Sequence, residues 1–194
     1  MYTVSVVSQR LFGAAAVLFL VGMLFCTPAR AGEARLTDIV VTNTQESLLT
    51  YLRVTDCFTP DMNTAIENGI HTIFTFFIRL YQVRRFWWDK KLVDIEVSHG
   101  IQYDSLKKVY VVTRSEKDNQ VVSVKDFGEA KELMSNVEGL KVIKLQGLIK
   151  GARYRVSMMA ELDKVRLPFY LHYVFFFLSL WDFNTDWYTV NFVY

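Results

Sequence analysis

From Leu36 onward, run after run alternates apolar and polar residues with a period of two. That period turns one side of each run toward a core and the other toward water, so it dictates pleated strands. In Leu48–Val54, the residues Leu48, Leu52 and Val54 share one face with Thr50. The preceding run, Leu36–Val41, reaches it through Asn43–Glu46, which suits a hairpin loop. Further runs at 72–83, 92–103, 108–114, 120–124, 152–162 and 187–194 are rich in β-branched and aromatic residues, which fit a half-buried sheet.

Two segments break the alternation. Thr59-Pro60-Asp61 offers an N-cap, a proline at the first helical position and an acid in the first turn, and so predicts a short helix over 60–68 before Gly69. Asp126-Phe127-Gly128-Glu129 has the spacing of a capping box, and the helix behind it is expected to run to about Glu138 before Gly139. Ala130, Leu133, Met134 and Val137 would then lie on one helical face that covers a sheet. Many short antiparallel strands with two covering helices predict a mainly β fold, an antiparallel β-sandwich of immunoglobulin-like or related topology. Residues 32–194 form its single domain.

Residues 1–31 read as an address. They hold no acid, Arg10 closes a polar start, and Leu11–Cys26 is a run of 16 residues without charge. Thr27-Pro28 then leads to the small-x-small exit Ala29-Arg30-Ala31. These are the parts of a secretory signal peptide, with cleavage expected after Ala31. The alternative is a retained anchor, for which the run is short of the ~20 residues that span a bilayer. Bulky Phe25 before Cys26 argues against lipidation. Cleavage removes Arg10 and Arg30 and takes the formal charge from +2 to zero, without the basic excess that nucleic-acid binding requires. Cys57 is then the single thiol, expected to be buried as a small hydrophobe.

A catalytic centre needs a nucleophile, a base or metal ligands at a defensible spacing. His71, His99 and His172 lack ligand-like spacing and no cysteine pair exists, so neither a metal nor another cofactor is expected. Glycine-rich phosphate loops and a Gly-x-Ser-x-Gly elbow are also missing. Asp94 and Glu96 share a strand face, which fits a solvated surface better than an acid–base pair. An enzyme would have to converge on His99, Tyr103 or Asp89.

Two clusters remain. Arg84-Arg85-Phe86-Trp87-Trp88-Asp89 combines guanidinium groups with indoles, a favourable cation–π pairing, and Asp89 can hold an arginine bidentately. It reads either as a surface for an anionic or flat partner, with Arg84, Arg85, Trp87, Trp88 and Asp89 as contacts, or as a structural corner where the indoles pack. The second cluster, Leu167–Trp181, carries no formal charge. Strand alternation would place Phe175 and Phe177 on one face and Phe176 on the other, so one covered sheet face cannot hide all three. A buried strand, a membrane-dipping loop and a partner-binding patch all fit. The expectation is contact with a membrane surface or a partner through Phe169, Tyr173, Phe175, Phe176, Phe177 and Trp181.

Several blocks, taken in order, resemble the bacterial domain-of-unknown-function family 4390 (DUF4390). They are Leu36–Asn43, Ala65–Ile70 running into Thr75–Ile78, Tyr81–Asp89, Tyr103–Leu106 with Tyr110, the Phe127–Leu133 segment, Leu162-Asp163 with Leu167-Pro168, and Asp186-Trp187. The resemblance covers nearly all of 34–194 and rests on the order of the blocks. It implies a small exported envelope protein without an assigned activity, encoded in some bacteria beside a nitrogen-regulation-type sensor kinase. It supplies no catalytic residues. The resulting expectation is a non-enzymatic, periplasm-facing module that binds an envelope partner or ligand and serves a membrane sensor. The rivals are an unrecognised periplasmic enzyme and a small outer-membrane β-barrel, the latter because Tyr188, Val190, Phe192 and Tyr194 alternate and end on an aromatic.

Intact-mass measurement of protein recovered from the cell envelope is expected to give an N-terminus at Gly32. Retention of residues 1–31 would make the chain a single-pass anchored protein.

Overall fold

The computed structural model describes residues 34–162 and 184–194. The expected signal peptide at 1–31 lies outside the described residues, as do Phe169, Tyr173, Phe175, Phe176, Phe177 and Trp181. In chain order the described elements are β1 (Arg35–Asn43), β2 (Ser47–Thr55), α1 (Pro60–Glu67), β3 (Thr72–Gln82), β4 (Lys90–Asp104) and β5 (Val109–Arg114). They continue with β6 (Gln120–Val124), α2 (Phe127–Ser135), β7 (Asn136–Lys144), β8 (Arg153–Leu162) and β9 (Tyr188–Val193). Short 3-10 turns occupy Ser115–Lys117 and Leu145–Gly147.

The strands form two antiparallel sheets, one ordered β1-β2-β7 and the other β6-β5-β4-β3-β8-β9. Both are open, in contrast to the closed wall of the barrel reading. The larger sheet is a meander of β3 to β6, whose short connections leave consecutive strands as neighbours, extended on the β3 side by β8 and β9. That order differs from the A-B-E-D and C-F-G sheets of an immunoglobulin domain. What holds from the sequence is a mainly β fold with two helices and two antiparallel sheets.

Alternation explains the core. Phe74, Phe76, Ile78 and Leu80 on β3 are fully buried, and Tyr154, Val156, Met158, Ala160 and Leu162 on β8 are buried beside them. The register pairs Phe76 with Ala160 and Ile78 with Met158, a large side chain beside a small one and then a stiff β-branched one beside a flexible one. From the smaller sheet, Leu48, Leu52 and Val54 of β2 and Val137, Leu140 and Val142 of β7 join the same hydrophobic cluster. The Thr50 hydroxyl, also inward, reaches the Met158 thioether at 3.3 Å across the sheets.

Both helix starts form as the sequence indicates. Thr59 Oγ1 accepts the Met62 N–H at 3.2 Å, with Pro60 at the head of α1. Asp126 Oδ1 accepts the Glu129 N–H at 2.8 Å. The end of α2 does not match the expectation. It stops at Ser135, and Asn136–Lys144 is the strand β7, which the sequence reading missed. Ala130 and Met134 do face the core from the helix, whereas Val137 reaches the core from the strand.

The reason is a β-bulge. Thr50 pairs with Leu140 and Leu52 with Val137, so Glu138 and Gly139 together oppose Tyr51. The extra residue turns the period of two into Val137-x-x-Leu140, which imitates a helical face. Gly139 has φ +61°, the left-handed conformation required by both a helix C-cap and this type of bulge, so its presence cannot distinguish them. Pairing decided the matter: without β7, β1 and β2 would be an isolated two-stranded hairpin, which is marginal in water.

Gly139→Ala is accordingly expected to destabilise the protein by roughly 1–2 kcal/mol, the cost of a Cβ in the left-handed region. Urea unfolding measures it, and an unchanged midpoint would contradict the bulge.

Candidate functional site

The β3–β4 ladder runs to Gln82 opposite Lys90, interrupted by one bulge where Leu80 pairs with Val93 and Tyr81 with Lys91, so residues 83–89 form the turn at the end of two central strands. Three groups pin its base. Val83 N–H donates to the Arg153 carbonyl at 2.9 Å, and Arg84 N–H donates to Asp89 Oδ1 at 3.3 Å. Asp89 Oδ2 pairs with Arg155 Nη1 at 3.1 Å. Beyond these anchors the chain turns in solvent. Phe86, Trp87 and Trp88 are 85%, 77% and 93% exposed, three consecutive large aromatic residues with almost no cover.

The charge around this tip has one sign. Over 84–91 and 150–155 the single acid is Asp89, already held by Arg155. Lys91 is taken by Asp94. Arg84, Arg85, Lys90, Lys150 and Arg153 enter no ion pair among the described residues. The register sets them at one end of the larger sheet, since Gln82 pairs with Tyr154 and Tyr154 with Phe192. A groove of about 360 Å³ lined by Val83, Arg153, Arg155 and Phe192 runs beside the base of the turn.

The turn therefore gathers Arg84, Arg85, Trp87, Trp88 and Asp89 as the sequence placed them, but not as a packed corner. Neither Trp87 nor Trp88 is buried, and the cation–π contact within the turn is Arg85 over Phe86, at 5.9 Å. Asp89 holds Arg155 through one oxygen and the turn's own backbone through the other. Arg155 was missed because nothing local links it to Asp89; only the β3–β8 pairing brings it there.

The three residues on which an enzyme would converge lie apart. Asp89 clamps the tip, Tyr103 packs on Tyr110 at 4.8 Å between ring centres, and His99 is fully buried under α2. Asp94 is an ion-pair hub, held well below the usual carboxylate range by hydrogen bonds from Lys91 and Arg79. Cys57 is buried, and burial pushes its thiol up to about 12, so it is inert as a nucleophile.

His99 meets a partner that sequence reasoning missed. Its Nδ1 lies 2.9 Å from the Met134 carbonyl, which can only accept, and its Nε2 lies 3.0 Å from Glu116 Oε2. The Glu116 side chain is 4% exposed. Burial pushes its carboxyl up, but the hydrogen bond and charge of His99 outweigh this and hold it below its ordinary range. The arrangement ties α2, β4 and the Ser115–Lys117 turn together and presents no nucleophile. Among the described residues no group of three or more His, Cys, Asp or Glu side chains is placed to hold a metal ion.

The fold and this site define a class: a two-sheet antiparallel β domain whose exposed chemistry is an aromatic, cationic turn. The profile of the family described as "Domain of unknown function (DUF4390)" matches residues 31–191, so the chain belongs to that family. Comparison with curated proteins and with solved structures gave no match.

Trp88→Ala is expected to leave the unfolding free energy within about 0.5 kcal/mol of wild type, as surface substitutions do, whereas buried Phe76→Ala costs about 3–5 kcal/mol. A large loss of stability with Trp88→Ala would restore the packed corner.

Glu116→Ala is expected to cost about 1–3 kcal/mol at neutral pH, since it leaves the buried His99 Nε2 without its hydrogen-bond partner. The folded carboxyl titrates below its unfolded value of about 4.3. Its contribution is thus complete above that value and is lost as the pH falls through the lower folded value. Urea unfolding from pH 7 downward is expected to show the wild-type and Glu116→Ala stabilities converging on the acid side.

Proposed function

We propose that the protein is an exported, non-enzymatic binding module of the cell envelope that meets its partner through the β3–β4 turn, as an accessory to a membrane sensor. The observation that carries this reading is the exposure of Phe86, Trp87 and Trp88 on a turn anchored at its base. Fully burying one such side chain is worth about 1.5–3 kcal/mol, so three left in water form a strong incentive for association. Aromatic and arginine side chains are also the residues that dominate binding energy where interfaces form. Export and the periplasmic address rest on the signal-like character of residues 1–31 and on the family resemblance.

A photo-crosslinking side chain placed at position 87 in intact cells is expected to capture an envelope component. The same side chain at Leu106, which is 95% exposed in the β4–β5 turn, serves as a control and is expected to capture none. Equal capture at both positions, or none at either, would overturn the reading.

A further inference from the structure

We infer that the β3–β4 turn docks on the surface of an anionic lipid bilayer, with its rings in the interfacial layer and its cations at the phosphates. This deepens the binding reading above and rests on it.

The rings argue for a soft partner. Phe86, Trp87 and Trp88 are consecutive and each is at least 77% exposed, so they do not stack into a single wedge that one pocket could take. A fluid interface accepts rings in several directions at once. Indoles favour it because the ring is apolar while the N–H stays within reach of headgroups and water.

The charges argue for an anionic surface. Arg84 and Arg85 precede the rings, Lys90 follows them, and Lys150 and Arg153 lie at the same end of the sheet. Asp89, the acid within the turn, is turned back onto Arg155 and the Arg84 N–H, so it is neutralised and half-buried. Each Lys or Arg near an anionic surface adds about a fivefold gain in binding. The long arginine and lysine stems can keep their charges at the phosphates while the rings go deeper. The anchored base means that little order remains to be imposed when the turn docks.

The test uses the full-length chain carrying Trp181→Phe and Trp187→Phe, in which Trp87 and Trp88 are the remaining tryptophans of the four. Vesicles of phosphatidylcholine, with or without phosphatidylglycerol, are added, and tryptophan emission and iodide quenching are read. With phosphatidylglycerol, the emission is expected to move to shorter wavelength and iodide quenching to be lost, and added salt reverses both. Arg84→Gln with Arg85→Gln is expected to lower partitioning roughly 30-fold without moving the melting temperature. The same shift on phosphatidylcholine alone overturns the anionic requirement, and no change on either vesicle overturns lipid docking. In that last case, a protein adduct at position 87 in cells would leave the binding reading standing, while absence of any adduct would remove both.

Discussion

Everything in this domain is arranged to cover one strip of side chains, the inward faces of β3 and β8. Phe74, Phe76, Ile78 and Leu80 lie beside Leu162, Ala160, Met158 and Val156, and all are buried to 2% exposure or less. A pleated sheet can hide such a strip only beneath a second layer. Most of that layer is supplied by β2 and β7 of the smaller sheet, with Met62 and Ile66 of α1 and Ala130 and Met134 of α2 in the same cluster. Because β3 is thus locked between β4 and β8, the turn joining β3 to β4 starts from a rigid base.

That rigidity gives the exposed aromatics their meaning. A frayed loop with a few rings would collapse onto the nearest apolar surface. This turn is held open by Val83 to Arg153, Arg84 to Asp89, and Asp89 to Arg155. The groups that could have formed a packed corner instead fasten the base of the turn, and the rings stay outside. Arg79 offers a contrast on the outer face of the same strand: its guanidinium lies 4.5 Å from the Trp187 ring centre and pairs with Asp94. There the cation–π contact is local and structural.

The buried His99–Glu116 pair has a different task. Each partner would be costly alone in the interior; His99 meets Glu116 Oε2 through Nε2 and the Met134 carbonyl through Nδ1, while Glu116 Oε1 is buried without a hydrogen-bond partner. The pair links the C-terminal end of α2 to the turn after β5, while the N-terminal end of the helix meets β5 itself through Phe127 stacked on Tyr110. A polar link of this kind fixes how the helix sits on the sheet, a specificity that hydrophobic contact, being non-directional, does not provide.

The strand content, the inward set of β2, both helix starts and the composition of the Arg84–Asp89 cluster were legible along the chain, because alternation and capping depend on neighbours within a few residues. The true end of α2 was not legible, because a left-handed glycine and a Val137-x-x-Leu140 spacing serve a helix end and a bulged strand equally well. Nor were the partners Arg155 of Asp89 and Glu116 of His99, which meet only when strands pair or a turn folds over. The sequence by itself determined which side chains must leave water and where the chain can turn. Tertiary structure alone decided which strand completes the smaller sheet and that Trp87 and Trp88 stay outside, since both depend on contacts between residues far apart in the chain.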